Sequence, residues 1–124
     1  MKKFVFVLLA ALGSCKLSNT IDKEREKISV QTRLEAAEDQ YRAGNFHEAV
    51  SQCNQVLTDE PSNIRALLIL GNAARELGNE LFKQAALQAQ SNNYRIADDI
   101  MLRAENFHIA SYRAFKAITD GLVR

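Results

Sequence analysis

Few side chains in this chain could make or break bonds. They are Cys15 and Cys53, His47 and His108, and the adjacent pair Asp98-Asp99. A thiol with an imidazole could form a nucleophile–base pair. His47 and Cys53, however, are six residues apart, which along a helix is about 9 Å, beyond hydrogen-bond reach. Neighbouring carboxylates on a helix point to different faces, so Asp98 and Asp99 do not form an acid/base dyad. Two histidines without further ligands at suitable spacing do not make a zinc site. No glycine loop of the phosphate-cradling type is present. These residues predict no catalysis, no metal, no cofactor and no small-molecule substrate. Cys53 falls on the apolar face of a helix and is expected as a small buried hydrophobe.

Cys15 is different because of what precedes it. Lys2 and Lys3 give a positive start, Phe4 to Leu12 is a short apolar run, and Leu12-Gly13-Ser14 leads into the cysteine. A basic end, a short apolar core and small residues before a cut form a secretory signal. Nine apolar residues cover only about 13 Å as a helix, whereas a membrane span takes about 20 residues. The Leu-Gly-Ser-Cys motif resembles the lipobox of bacterial lipoproteins. That resemblance implies cleavage after residue 14 and a diacylglycerol thioether on Cys15, with palmitate-type acyl chains. Two or more chains hold a protein firmly at a membrane. Lys16, where inner-membrane retention would use Asp, implies the outer membrane facing the periplasm. The sulfur of Cys15 would then be unavailable for a disulfide with Cys53. A plain secretory signal with an incidental cysteine is the competing reading.

The expected organisation is a signal at 1–14, the lipidated Cys15 with a polar tether to residue 20, and one domain over 21–124. Without Lys2 and Lys3 there are 14 basic and 15 acidic side chains, a net charge of −1. No basic bias points to nucleic acid. Trp is absent, Pro61 is the sole proline, and Ala, Leu, Gln, Glu and Arg dominate. That vocabulary is helical, with little that favours strands.

Apolar spacing predicts an all-α chain of about five or six helices. The first runs over Asp22–Ala43 and ends at Gly44-Asn45, which both tolerate the left-handed conformation. The second carries Phe46, Ala49, Cys53, Val56 and Leu57 and stops before Pro61. The third starts near Ser62 and either stops at Gly78-Asn79 or carries on through Leu81, Phe82, Ala85 and Ala89. Ser91-Asn92-Asn93 is the next break. Two further apolar faces follow, Tyr94 to Ala104 and Phe107 to Ile118, with Asp120-Gly121 as the close.

Internal repetition is visible in the sequence. Gly44-Asn45 recurs as Gly78-Asn79 at an offset of 34. Asn45-Phe46-His47-x-Ala49 recurs as Asn106-Phe107-His108-x-Ala110, at an offset of 61. Asn93-Tyr94-x-x-Ala97 is a weaker copy at an offset of 48. Ala37, Gly44, Phe46, Ala49, Cys53, Val56, Leu57 and Pro61 match the positions of a tetratricopeptide (TPR) repeat, so residues 30–63 resemble one complete unit. Residues 64–77 resemble the first helix of a second. Beyond that, either the second unit has an extended first helix or another helical pair caps the array.

The TPR resemblance implies stacked antiparallel helix pairs with a concave, protein-binding face lined by first helices. The matching residues are Gln31, Leu34, Glu38, Tyr41 and Arg42, then Arg65, Leu68, Asn72, Arg75 and Glu76. The family's clamp for a peptide carboxylate wants Lys at the position of Leu68, so that clamp is not expected. Small TPR lipoproteins include pilotins of pilus and secretion systems. The resemblance therefore implies an adaptor or assembly factor that binds another, membrane-associated envelope protein. A fixed structural subunit of such a complex, or a regulator of a cell-wall enzyme, are the alternatives.

Overall fold

The computed structural model describes the backbone of residues 2–123 and the side chains of residues 20–122. Within them all regular structure is helical: α1 (Lys2–Arg42), α2 (Phe46–Asp59), α3 (Ile64–Gln90) and α4 (Tyr94–Val123). The all-α expectation holds, but there are four helices where five or six were expected. Gly78-Asn79 lies inside α3, and the two apolar faces of residues 94–118 belong to one continuous α4. Helix also begins at Lys2 instead of Asp22, so the backbone of residues 16–20 is helical where a polar tether was expected. A helical segment reaches about 1.5 Å per residue, less than half the reach of an extended one. The acylation expected at Cys15 falls outside the described side chains.

The chain divides into two compact units, residues 1–32 and residues 33–124. The first is helical over its described backbone, with Ile21 and Ile28 exposed. The second holds the last part of α1 with α2, α3 and α4.

Within the second unit the helices are joined by tight turns whose residues explain them. Gly44 has φ +82°, a conformation that a residue without Cβ takes at no steric cost. The Asn45 amide then donates to Gln40 Oε1 at 2.8 Å, and its backbone N–H to the Gln40 carbonyl at 2.8 Å. The α2–α3 turn contains Pro61, and α3 starts two residues later than the proline suggested. Asn63 sets that start: its Oδ1 accepts from the Ala66 N–H at 2.9 Å, and its amide donates to Glu60 at 2.8 Å.

The α3–α4 turn repeats the α1–α2 turn atom for atom. Asn92 takes the left-handed position with φ 63°. Asn93 donates through its amide to Gln88 Oε1 at 3.0 Å and through its backbone N–H to the Gln88 carbonyl at 2.9 Å. Ala49 and Ala97 follow at the same position, and both are buried. The copy at offset 48, the fainter one in sequence, is therefore the true equivalent of the first turn. Relative to an offset of 34, this turn comes 14 residues late, so α3 is about four turns longer. α3 is one continuous helix that carries on through Gly78-Asn79 to Gln90.

α3 is the central element. It packs along most of its length against the antiparallel α4 and over its first part against α2. Leu34, Ala37, Ala49, Cys53, Val56, Ala66, Leu67, Ile69, Ala73, Ala74 and Leu77 form the core. Gly71 and Gly78 let α4 come close to the α3 backbone. A Cβ on Gly71 would stand 2.8 Å from the Phe115 ring, and one on Gly78 would collide with the His108 ring. Both the glycines and the rings are seven residues apart, so ring and glycine meet on the same seam in antiparallel register. A helix-interior glycine costs about 1 kcal/mol relative to alanine. Here the helix continues through Gly78 because the missing side chain makes room for α4. Ser111, on the same seam and buried, donates from Oγ to the Gly71 carbonyl at 2.7 Å.

Candidate interaction face

Among the expected groove residues, two from different helices are joined directly. Arg65 on α3 forks onto Glu38 on α1, with Nε to Oε1 at 2.8 Å and Nη2 to Oε2 at 2.7 Å. Two parallel N–H···O bonds fix geometry as well as charge. The Arg65 hydrogen bond holds the Glu38 carboxyl below its ordinary value. The charges of Arg65 and Arg42 act the same way, and partial burial opposes them. A longer pair, Arg33 to Asp59 at 3.4 Å, ties α1 to the end of α2.

Leu68, Asn72 and Arg75 lie on one face of α3 at steps of four and three. Leu68 is 48% exposed, Arg75 is exposed, and Asn72 is half-buried and accepts from Arg75 Nη2 at 3.2 Å. Arg42 is exposed and Glu76 half-buried. Gln31 is exposed in the first compact unit.

One of the expected groove residues is corrected. Leu34 is 4% exposed and belongs to the core, because it shares an inward stripe of α1 with Ala37. Tyr41 is half-buried and packs its ring on Phe46, with centroids 5.5 Å apart, so it closes the α1–α2 corner. One contributor was missed. Phe82, expected on the apolar side of α3, is 52% exposed. Leu68, Arg75 and Phe82 recur every seven residues, and that step was the signal that could have placed Phe82 on the outer stripe.

The reactive side chains are placed apart. Cys53 is fully buried, and desolvation pushes its thiol up to about 11, so at neutral pH it is protonated and a poor nucleophile. His47 meets Phe107 edge-on, with centroids 5.8 Å apart. The His108 Nε2 lies 3.2 Å from Asn79 Oδ1. The two histidines of the repeated Asn-Phe-His motif thus serve different seams. Among the described residues, no three His, Cys, Asp or Glu side chains stand close enough to hold a metal ion. Also among them, no helix is long and apolar enough to cross a membrane.

Among the described residues, two shallow clefts open between helices. One, of about 280 Å³, is walled by Val50 and Asn54 of α2, Leu70 and Ala74 of α3, and Phe107 and Ala110 of α4. The other, of about 340 Å³, lies between the Pro61 turn and the end of α4 near Ile118. Both are more apolar than polar, and neither gathers the charged groups that acid–base chemistry needs.

Compared with protein families, curated proteins and solved structures, the chain matches none of them.

Proposed function

We propose that this chain is a lipid-anchored envelope protein whose TPR-like helix pairs hold a protein partner. The anchor reading rests on Leu12-Gly13-Ser14-Cys15 behind a short apolar run. The repeat reading is supported by the matching turns at Gly44-Asn45 and Asn92-Asn93 and by alternating antiparallel helices. One observation carries the binding role. The Glu38–Arg65 fork locks α1 beside α3 and leaves Leu68, Asn72 and Arg75 as an open face mixing apolar and charged groups. Arginine beside an exposed leucine is a common anchor arrangement at protein interfaces.

The partner class is another envelope protein, near the outer-membrane surface facing the periplasm, in a pilus- or secretion-type assembly. A fixed subunit role is the second reading. It is favoured by the large apolar side chains exposed on the far part of the α3–α4 hairpin, Phe82, Leu87 and Ile96 among them.

The test combines location and capture. Cys15→Ser should move the protein from membrane to soluble fractions; unchanged fractionation would end the lipid-anchor reading. Photo-crosslinking from position 75 in the native host should trap one protein, and a Leu68→Asp, Arg75→Glu variant should lose it while keeping its melting temperature. Trapping a cell-wall synthase or hydrolase would replace the assembly role with a regulatory one. No partner lost on mutating this face would remove the face from the proposal.

A further inference from the structure

The side of α4 turned away from α3 has an order that the monomer does not use. Ala97, Ala104 and Ser111 recur every seven residues and are buried on the α3 side. Leu102 and Ile109 share that step but lie about half a turn round the helix, and they are 60% and 47% exposed. Around them six of the eight charges between Arg95 and Asp120 pair off with opposite sign across Asn106, while the exposed Arg103 and Glu105 beside the centre stand outside the pattern. Asp99 lies seven residues before the centre and Arg113 seven after; Asp98 is eight before and Lys116 ten after; Arg95 is eleven before and Asp120 fourteen after. All six charged side chains are exposed. Arg95, Asp98, Asp99 and Arg113 enter no ion pair among the described residues.

We propose that this face binds a second copy of the chain, with the two α4 helices antiparallel about a two-fold axis at Asn106. In that register Leu102 meets the partner's Ile109, and Asp99 meets the partner's Arg113 on the same flank. Asp98 meets the partner's Lys116 on the other flank, and Arg95 reaches the partner's Asp120. Each contact occurs twice, as an isologous interface requires. A parallel pairing would set like charges against one another. Lys116 bonds Asp120 in its own chain at 3.0 Å, and both groups are half-exposed, so each can share its charge with the partner. Only Leu102 and Ile109 form the apolar centre. The interface is therefore at the small end of the range, and its dimer is reversible, weak and salt-sensitive.

Sedimentation equilibrium of the full chain in reducing buffer tests this. The wild type should show a monomer–dimer equilibrium that weakens with salt. Asp98→Lys with Asp99→Lys makes five of the six named charges positive, leaving Asp120, and Arg113→Glu with Lys116→Glu makes five negative, leaving Arg95. Each double variant should keep its circular dichroism and self-associate about tenfold more weakly or worse. Mixed one to one, the two should form a heterodimer, with the dimer signal returning. A wild type that is monomeric throughout, self-association that survives both reversals, or a mixture that stays monomeric would each overturn the proposal.

Discussion

Between Ile64 and Gly78, α3 is flanked by α4 on one side and α2 on another. Among the described residues, the same long hairpin has only its own seam between Asn79 and Glu105. His47, in the first turn of α2, lies against Phe107, and His108 lies against Gly78 and Asn79, so the top of α2 stands level with that point. Below it, Leu67, Ile69, Ala73, Ala74 and Leu77 are buried. Above it, burial on α3 narrows to Leu81 and Ala85, while Phe82 and Leu87 are 52% and 61% exposed. Both regions are regular α-helix, but residues 64–78 carry six Ile or Leu in fifteen and residues 79–90 two in twelve. That difference goes with the number of neighbours. Two helices can bury one stripe each, and a third is needed before a broader face leaves water.

This contrast explains both odd offsets in the sequence. Relative to an offset of 34, the offset of 61 is 27 too long, and 27 is the number of residues from Asn79 to Glu105. The far part of the hairpin is thus an extension placed between Gly78 and Asn106, and its two ends touch. The helix climbs about four turns past the regular turning point and descends about as far before Asn106-Phe107-His108 resumes the pattern.

The largest effect should separate the two regions. Leu77→Ala in the lower layer should cost about 2–5 kcal/mol, as truncation of a buried leucine does. Leu87→Ala on the extension should stay within about 0.5 kcal/mol. Urea denaturation of both variants measures this, and equal losses would erase the distinction between the regions.

Next is the seam. Gly78→Val should overpack His108 and cost about 1–3 kcal/mol, with His108→Ala in the same chain recovering part of the loss. Recovery absent, the cost would belong to backbone or helix propensity instead of the contact.

A smaller change is expected from a far larger edit. Deleting residues 79–105 leaves Gly78-Asn106-Phe107-His108, the pattern of Gly44-Asn45-Phe46-His47. The shortened chain should unfold cooperatively, with a midpoint close to the parent. Loss of cooperative unfolding would mean the extension is integral to the lower layer.

The smallest effect concerns pH. Glu38 is held below its ordinary value by Arg65, so the folded form favours the carboxylate. That stabilisation is present above the carboxyl's unfolded value and is lost as pH falls through its lower folded value. Glu38→Gln should flatten this acid-side slope, with a small loss of stability at neutral pH that vanishes as pH falls through the folded value of Glu38. An unchanged slope would mean that other carboxylates carry it.

Much of the layout was legible from residue types alone. Residues that tolerate the left-handed conformation and the 3.6-residue apolar spacing located the turns at Gly44-Asn45 and Ser91-Asn92-Asn93, because those signals act within a few residues. They also put Cys53 and Ala49 inside. The same logic left Gly78-Asn79 open between a stop and a continuing helix, and the helix continues where His108, 30 residues away in sequence, packs on Gly78. The repeat template failed at Leu34, which it placed in the groove although the side chain is buried in the core beside Ala37.

By itself, then, the sequence determined that the chain is helical, where it can turn, and that Cys15 follows a lipobox-like run. These depend on backbone preference and on short motifs. Only the tertiary structure decided which of two sequence copies is the structural repeat, that Gly71 and Gly78 are seats for Phe115 and His108, and which arginine pairs with Glu38. Those outcomes depend on which distant side chains share one space, and no local preference encodes that.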